Sequence, residues 1–288
     1  MKKLLLLIVG LTLTVTLAAC GNSESSGLTS IVGIEPGAGM MSTTEDVIVE
    51  YNLDLTLDAT SGPVMVTELG KAIEAGEDIV VTGWAPHYKF AMYDLKILDD
   101  PLGLYGSSEQ IFTVARADVR DDFPDVADFF DVFFFDAATI GDLMGEINER
   151  GDSEETLEIA RDWMNNNEDV WTDWIPEGFD GEGREVVVDY VNWAEGVAMT
   201  NFARAVLEEY NYEVVTTDLE PGVLFQSLAD GQTDFFLDAW LPVTHADYMA
   251  SYEGDIVEIG LNYDGARLGL IVPSYMDINS IDELPKAD

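Results

Sequence analysis

Three tryptophans occupy settings in which they could share one ligand. They occur in Ile79-Val80-Val81-Thr82-Gly83-Trp84-Ala85-Pro86-His87, in Val186-Val187-Val188-Asp189-Tyr190-Val191-Asn192-Trp193 and in Asp238-Ala239-Trp240-Leu241-Pro242-Val243-Thr244-His245. Each follows an apolar or β-branched run that reads as a buried strand. Ligand sites in α/β proteins form beyond the carboxyl ends of strands. A quaternary ammonium has no N–H to donate and spreads its charge over methyl groups, so the negative face of an indole suits it. Each such contact contributes on the order of 0.5–2 kcal/mol, and Trp is the best ring. Three indoles could therefore hold a small cation without a carboxylate. Bulky aromatics after strands are also ordinary core residues, and residue type alone leaves both readings open.

The elements that would position these residues fall into two similar rhythms. In the first, strands are expected at 31–34, 53–57, 78–82 and 95–98, with helices at 40–51, 61–76 and 88–93 and a tight loop at Glu35-Pro36-Gly37-Ala38-Gly39. A strand at 111–115 leaves this unit, and helical periodicity runs from Pro124 to Trp174. There Ser153 and Glu155 can cap a helix bearing Trp163, Trp171 and Trp174, which read as packing residues. Glu177 to Gly183 is a loop. The second rhythm has strands at 186–190, 212–216, 233–238 and 256–259 and helices at 200–210, 222–228 and 245–252. Leu268 to Pro273 reads as a crossing strand, and Ser280 to Leu284 as a last helix. Strand–helix alternation argues for an α/β protein. Two such units with two extended connections outline a two-lobed, hinge-closing binding protein.

Composition narrows the partners. The 288 residues carry 56 acidic against 13 basic side chains, a net charge of −43, with 47% apolar residues. A basic face for nucleic acid is lacking. At molar salt the Debye length is roughly 3 Å, so self-repulsion would be screened, and the balance points to a salt-rich habitat. Lys2 and Lys3 precede the apolar stretch Leu4 to Leu17, which is short for a membrane span and has the flanks of an export signal. Removing it takes the charge to −43 − 2 = −45. Leu17-Ala18-Ala19-Cys20 resembles the lipobox of bacterial lipoproteins. That resemblance implies cleavage before Cys20, a lipid on its sulfur and an extracytoplasmic, membrane-tethered body. Cys20 is the single cysteine, so no intrachain disulfide can form.

Enzymatic motifs are missing. There is no Gly-x-Ser-x-Gly elbow and no lysine-bearing phosphate loop. Ser42 stands where a dinucleotide loop starting at Gly37 would need its third glycine. Two separated histidines and one cysteine do not make a zinc site, and Asp118 to Asp131 lacks the spacing and glycine of a calcium loop. We expect no catalytic residues, metal or cofactor. A surface hydrolase using paired carboxylates is the weaker alternative, since with 56 acids some pairs approach by chance.

Taken together and in order, Gly33-Ile34-Glu35-Pro36-Gly37-Ala38-Gly39-Met40-Met41, Thr82-Gly83-Trp84-Ala85-Pro86-His87, Tyr190-Val191-Asn192-Trp193, Ala239-Trp240-Leu241-Pro242-Val243-Thr244-His245 and Gly269-Leu270-Ile271-Val272-Pro273-Ser274-Tyr275-Met276 resemble the substrate-binding lipoproteins of glycine betaine ABC importers. The resemblance implies a type II periplasmic-binding-protein-like fold with parallel-rich sheets and the ligand between the lobes. It implies a cage of Trp84, Trp193 and Trp240 around the trimethylammonium head. It also implies a carboxylate held by the backbone N–H groups of Gly33 and Ile34 and by His245. The expected division is a leader at 1–20, a tether at 21–30, one lobe at 31–108 plus 273–288, and a second lobe at 109–272. The expected partners are glycine betaine or a related zwitterion and the importer's membrane subunits, with the protein acting as a monomer. Choline, carnitine and sulfonium osmolytes are the alternative ligands. The chain departs from the family at Ala194-Glu195-Gly196, where Asp-Ser-Glu is common, at Val243 for Asn and at Tyr88 for Trp. These departures bear on ligand preference, and His87 reads as structural.

Overall fold

The computed structural model describes residues 27–151 and 155–287. The leader, Cys20 and the capping residue Ser153 lie outside the described residues.

The first rhythm folds as β1 (Ser30–Val32), α1 (Gly39–Glu50), β2 (Thr56–Asp58), α2 (Gly62–Ala75), β3 (Val80–Ala85), α3 (Lys89–Met92) and β4 (Leu95–Ile97). Local sequence explains the boundaries of α2. Pro63 sits in its first turn, and Gly76 ends it in the left-handed region at φ 67°, where glycine carries no Cβ penalty. β5 (Glu109–Arg116) opens the second half. The helical stretch that follows contains α4 (Val119–Asp122), α5 (Pro124–Asp131), α6 (Ala137–Arg150), α7 (Thr156–Asn166) and α8 (Glu168–Trp171). The helix expected over 153–175 is thus broken at Asn167 and closes in a 3-10 turn at Thr172–Trp174. Then come β6 (Glu185–Val187), α9 (Ala194–Glu209), β7 (Glu213–Val215), α10 (Pro221–Ala229), β8 (Phe235–Leu241), α11 (Ala246–Ser251) and β9 (Ile256–Pro273). The expected last helix is a single 3-10 turn at Ile281–Glu283, whose first N–H groups are met by Ser280.

β9 unites the sheet. Two separate strands were expected at 256–259 and 268–273, and the structure joins them into one of 18 residues. The join passes through turn-type residues, including Gly260 and Gly265. Gly260 lies so close to the Phe130 carbonyl that a side chain would collide, and the β5–β9 ladder absorbs three register shifts along this stretch. Such bulges let a strand bend without ending. From Ile256 to Ala266 β9 pairs with β5. From Arg267 to Pro273 it pairs with β3 and β4. The strand order is β2-β1-β3-β9-β5-β8, with β4 also on β9. β1–β2, β1–β3 and β6–β7 are parallel pairs, and every pairing of β9 is antiparallel. The result is a mixed sheet flanked by helices, with two halves that share one strand.

The second half has an aromatic core. Phe202 of α9 meets Phe135 at 5.4 Å and Trp163 at 5.6 Å, both edge-on, a geometry that sets the positive ring edge against the negative face. Trp163 and Trp171 are buried, and Trp174 packs against the same cluster. These three indoles are packing residues.

Candidate functional site

Trp84, Trp193 and Trp240 line one cavity of about 20 Å³ together with Ile34, Glu195 and His245. A single water needs roughly 10–15 Å³ of such space, so the three indoles stand close together here. Trp84 lies within β3 and Trp240 within β8, where strand ends had been expected before them. Trp193 precedes the first residue of α9. All three are almost fully buried. A second cavity, of about 150 Å³, borders on Trp84, His87, Asn148 and Asn192. It is larger but touches only one of the three indoles.

Each indole ties its polar edge to a carboxylate. Trp84 Nε1–H donates to Glu195 at 2.6 Å, Trp193 Nε1–H to Glu35 at 3.1 Å, and Trp240 Nε1–H to Asp238 at 2.9 Å. Two of the three cross between halves: Trp84 of β3 reaches α9, and Trp193 before α9 reaches the loop after β1. Glu35 also accepts the N–H of Gly62 at the start of α2. Tyr248 O–H donates to the Gly37 carbonyl, adding a further bond between the halves. With the edges anchored, the ring faces are what the indoles can offer a ligand.

His245 is wholly buried. Its Nδ1 accepts the Trp240 backbone N–H at 2.9 Å. In the neutral ring the proton therefore sits on Nε2, and that atom is buried with no partner. Burial pushes the imidazole down to about 3, so it is uncharged at neutral pH. The ring lies nearly parallel to Trp193, centroids 5.7 Å apart. A buried donor without an acceptor costs about 1–3 kcal/mol, a cost that a ligand oxygen would remove.

The two backbone donors expected from the Gly-Ile-Glu-Pro-Gly loop differ. Ile34 N–H is directed at the thioether of Met41 at 3.3 Å, a weak acceptor that a carboxylate can displace. Gly33 N–H already donates to the Asp58 carbonyl at 2.8 Å. Gly33 thus extends the β1–β2 pairing past Val32 in this structure.

Sequence reasoning missed the carboxylates and a lysine. Glu35, Glu195 and Asp238 stand within two residues of motif positions already singled out, and that spacing was the available signal. The pairings of Glu195 with Trp84 and of Glu35 with Trp193 cross the fold and left no trace in the chain. Lys89 is fully buried beside Trp84. Its Nζ donates to the Trp84 carbonyl at 3.3 Å and lies 4.2 Å from the ring centroid. Burial lowers the ammonium to about 7, and the Glu195 charge works against that fall. His87 stands edge-on to Trp84, centroids 4.7 Å apart. Its Nδ1 takes the Lys89 N–H at 3.1 Å, and burial holds the ring well below its ordinary value.

Comparison with known proteins decides the family. The sequence matches the substrate-binding domain of ABC-type glycine betaine transport systems over residues 17–166 and 184–288. The chain belongs to that family. This binding protein is 37% identical over 302 residues to the glycine betaine/carnitine transport binding protein GbuC of Listeria monocytogenes, covering 99% of this chain and 98% of the relative. Among solved structures, lactococcal OpuAC, in its closed-liganded conformation with glycine betaine, is 32% identical. The match covers 54% of this chain and 63% of that one, with a TM-score of 0.48. ProX of Borrelia burgdorferi, a glycine betaine/L-proline transporter's binding protein, is 28% identical over 52% of this chain and 56% of that one, with a TM-score of 0.46. The protein is thus a substrate-binding component of an ABC importer, a role performed outside the cytoplasm. No described helix is long and apolar enough to cross a membrane.

Proposed function

We propose that the protein captures glycine betaine, or a close trimethylammonium carboxylate such as carnitine, and presents it to the importer's membrane subunits. The observation that carries this reading is one cavity lined both by the three indoles and by His245, whose buried Nε2 has no partner. The ring faces of Trp84, Trp193 and Trp240 take the ammonium head. His245 Nε2–H and Ile34 N–H take the carboxylate.

Capture works by closure. Trp84, Ile34 and Glu35 belong to the half built on β1 to β4. Trp193, Glu195, Trp240 and His245 belong to the half begun by β5. A ligand touching both favours the closed form by its differential affinity. Catalysis has no part in this. The protein acts as a monomer, tethered through a lipid on Cys20.

The test is titration calorimetry on the protein without its leader, beginning at Gly21, in molar salt. Glycine betaine, carnitine and choline are titrated in turn. Betaine is expected to bind well and choline poorly, since choline leaves His245 and Ile34 without an acceptor. Choline binding as well as betaine would remove the carboxylate role from those two residues. Binding of none of the three by folded protein would sink the reading.

A further inference from the structure

Glu195 stands on the first turn of α9, 1% exposed, with its carboxylate on the cavity wall. One oxygen takes the Trp84 N–H from the other half of the molecule, and Trp240 also helps to stabilise it. Asp238 on β8 lies behind it, equally buried. Its Oδ1 holds Trp240, and its Oδ2 has no partner. Gly196 makes this approach possible: a Cβ there would stand 2.6 Å from Asp238 Oδ2. The cation facing the pair is Lys89. The remaining titratable groups around the indoles are Glu35 beside Trp193, His87 against Trp84 and His245 against Trp193. Both histidines are uncharged.

Two ionised carboxylates and one ammonium leave a net negative charge among almost fully buried side chains. Buried charge without compensation is costly, and a group so placed neutralises instead. A proton on the pair is the means the protein itself has. A quaternary ammonium is another, and it cannot lose its charge. Resting on the cage reading, we propose that Glu195 is the counter-charge for a permanent cation held by the three indoles, and that the protein gives up one proton from the Glu195–Asp238 pair as that cation enters. The O–H bond of the carboxylic acid breaks, its electron pair stays on the carboxylate, and the proton passes to the buffer. No bond forms to the cation. Glu195 is assigned the role because it lines the cavity and Asp238 does not.

The charge balance agrees. Burial pushes both carboxyls up, and the Glu195 charge raises Asp238 further. A positive charge brought beside them reverses that direction. Binding that releases a proton strengthens as pH rises. On the acid side of the titration the affinity should change by about tenfold per pH unit for one proton.

The experiment is calorimetry of glycine betaine binding between pH 6 and 8, in buffers of differing ionisation enthalpy. 3,3-Dimethylbutanoate, the isostere with carbon in place of the ammonium nitrogen, is run alongside. About one proton released per betaine is expected, with no release and weaker binding for the isostere. Glu195→Gln should bind betaine without proton release and with a flat pH profile. Lys89→Met should still release the proton, with its midpoint moved to higher pH. Betaine binding without proton exchange overturns this proposal and leaves the cage standing. Release retained in Glu195→Gln, or abolished by Lys89→Met, also overturns it. If Glu195→Gln fails to fold, the contrast between betaine and its isostere on the unaltered protein decides. A folded protein that binds no betaine at all removes the cage, and this proposal with it.

Discussion

An indole has two ways to meet charge, an N–H edge for anions and a face for cations, and here the edge of each of the three rings is already engaged. The edges of Trp84, Trp193 and Trp240 are held by Glu195, Glu35 and Asp238, so the rings cannot rotate freely and the faces are preset. Replacing any one of them with Ala should weaken betaine binding by roughly 1–3 kcal/mol, from lost cation–π contact and lost burial. Calorimetry showing unchanged affinity in all three variants would end the cage reading. His245→Ala should harm betaine more than choline, because only betaine offers an oxygen to Nε2. Equal losses in the two titrations would place His245 away from the carboxylate. The same imidazole should mark the acid limb of stability. Its folded value of about 3 lies below the ordinary 6.5, so between those values the unfolded chain binds a proton that the folded chain does not. The stabilising contribution is therefore complete above pH 6.5 and declines as pH falls toward 3. His245→Gln should flatten the fall in melting temperature between pH 6.5 and 4.

At the scale of elements, the site depends on segments that approach too closely for side chains. Gly39, the first residue of α1, lies against the backbone carbonyl of Thr244, in the loop after β8. A Cβ there would fall inside the contact radius of that oxygen, and a backbone atom cannot swing aside as a side-chain tip can. Ala is a better helix residue than Gly, so Gly39→Ala should leave the melting temperature equal or higher. It should weaken betaine binding at least tenfold by holding the halves apart. Small-angle scattering with saturating ligand should show a larger radius than the unaltered protein. A variant that closes and binds normally would show that α1 and the Thr244 loop need not meet. The elements themselves were largely legible: α1, α2, β5, α10 and the strand–helix alternation follow from periodicity and capping. Other boundaries were not. Trp84 and Trp240 sit inside strands because β3 and β8 are buried on both faces, and a fully buried strand has no alternation to mark its end. β9 read as two strands because its middle carries glycines and polar residues that only β5, with its shifted register, holds extended.

For the whole molecule, charge is the dominant fact. Fifty-six acids face 13 basic residues, so most carboxylates have no cation to pair with. Some cations are shared. Arg116 alone contacts Asp118, Asp122 and Asp234, and Arg184 meets Asp125. The acidic run at 118–131 is thus a partly ion-paired face as well as a solvated one. Self-repulsion on this scale destabilises a compact state until salt screens it. The melting temperature should rise from dilute buffer to molar potassium chloride. A flat or falling trend in a thermal melt would remove the salt-rich habitat from the account.

Much of the proposed ligand site was present in residue order. The three indole motifs, the Gly-Ile-Glu-Pro-Gly loop and His245 are local patterns, and local patterns survive in a chain because each needs only its own neighbours to be recognised. The two-unit architecture was likewise determined by alternation along the chain. Tertiary structure alone decided which donors are free. Gly33 and Ile34 are adjacent, yet one N–H is taken by Asp58 and the other only by a weak sulfur acceptor, a difference set by what β2 and α1 bring near. It alone joined two of the indoles to their carboxylates, since Trp84 and Glu195 lie 111 positions apart and Glu35 and Trp193 lie 158 apart. Hydrogen bonds and fields act through space, and spacing along a chain records them only where the chain turns back on itself within a few residues.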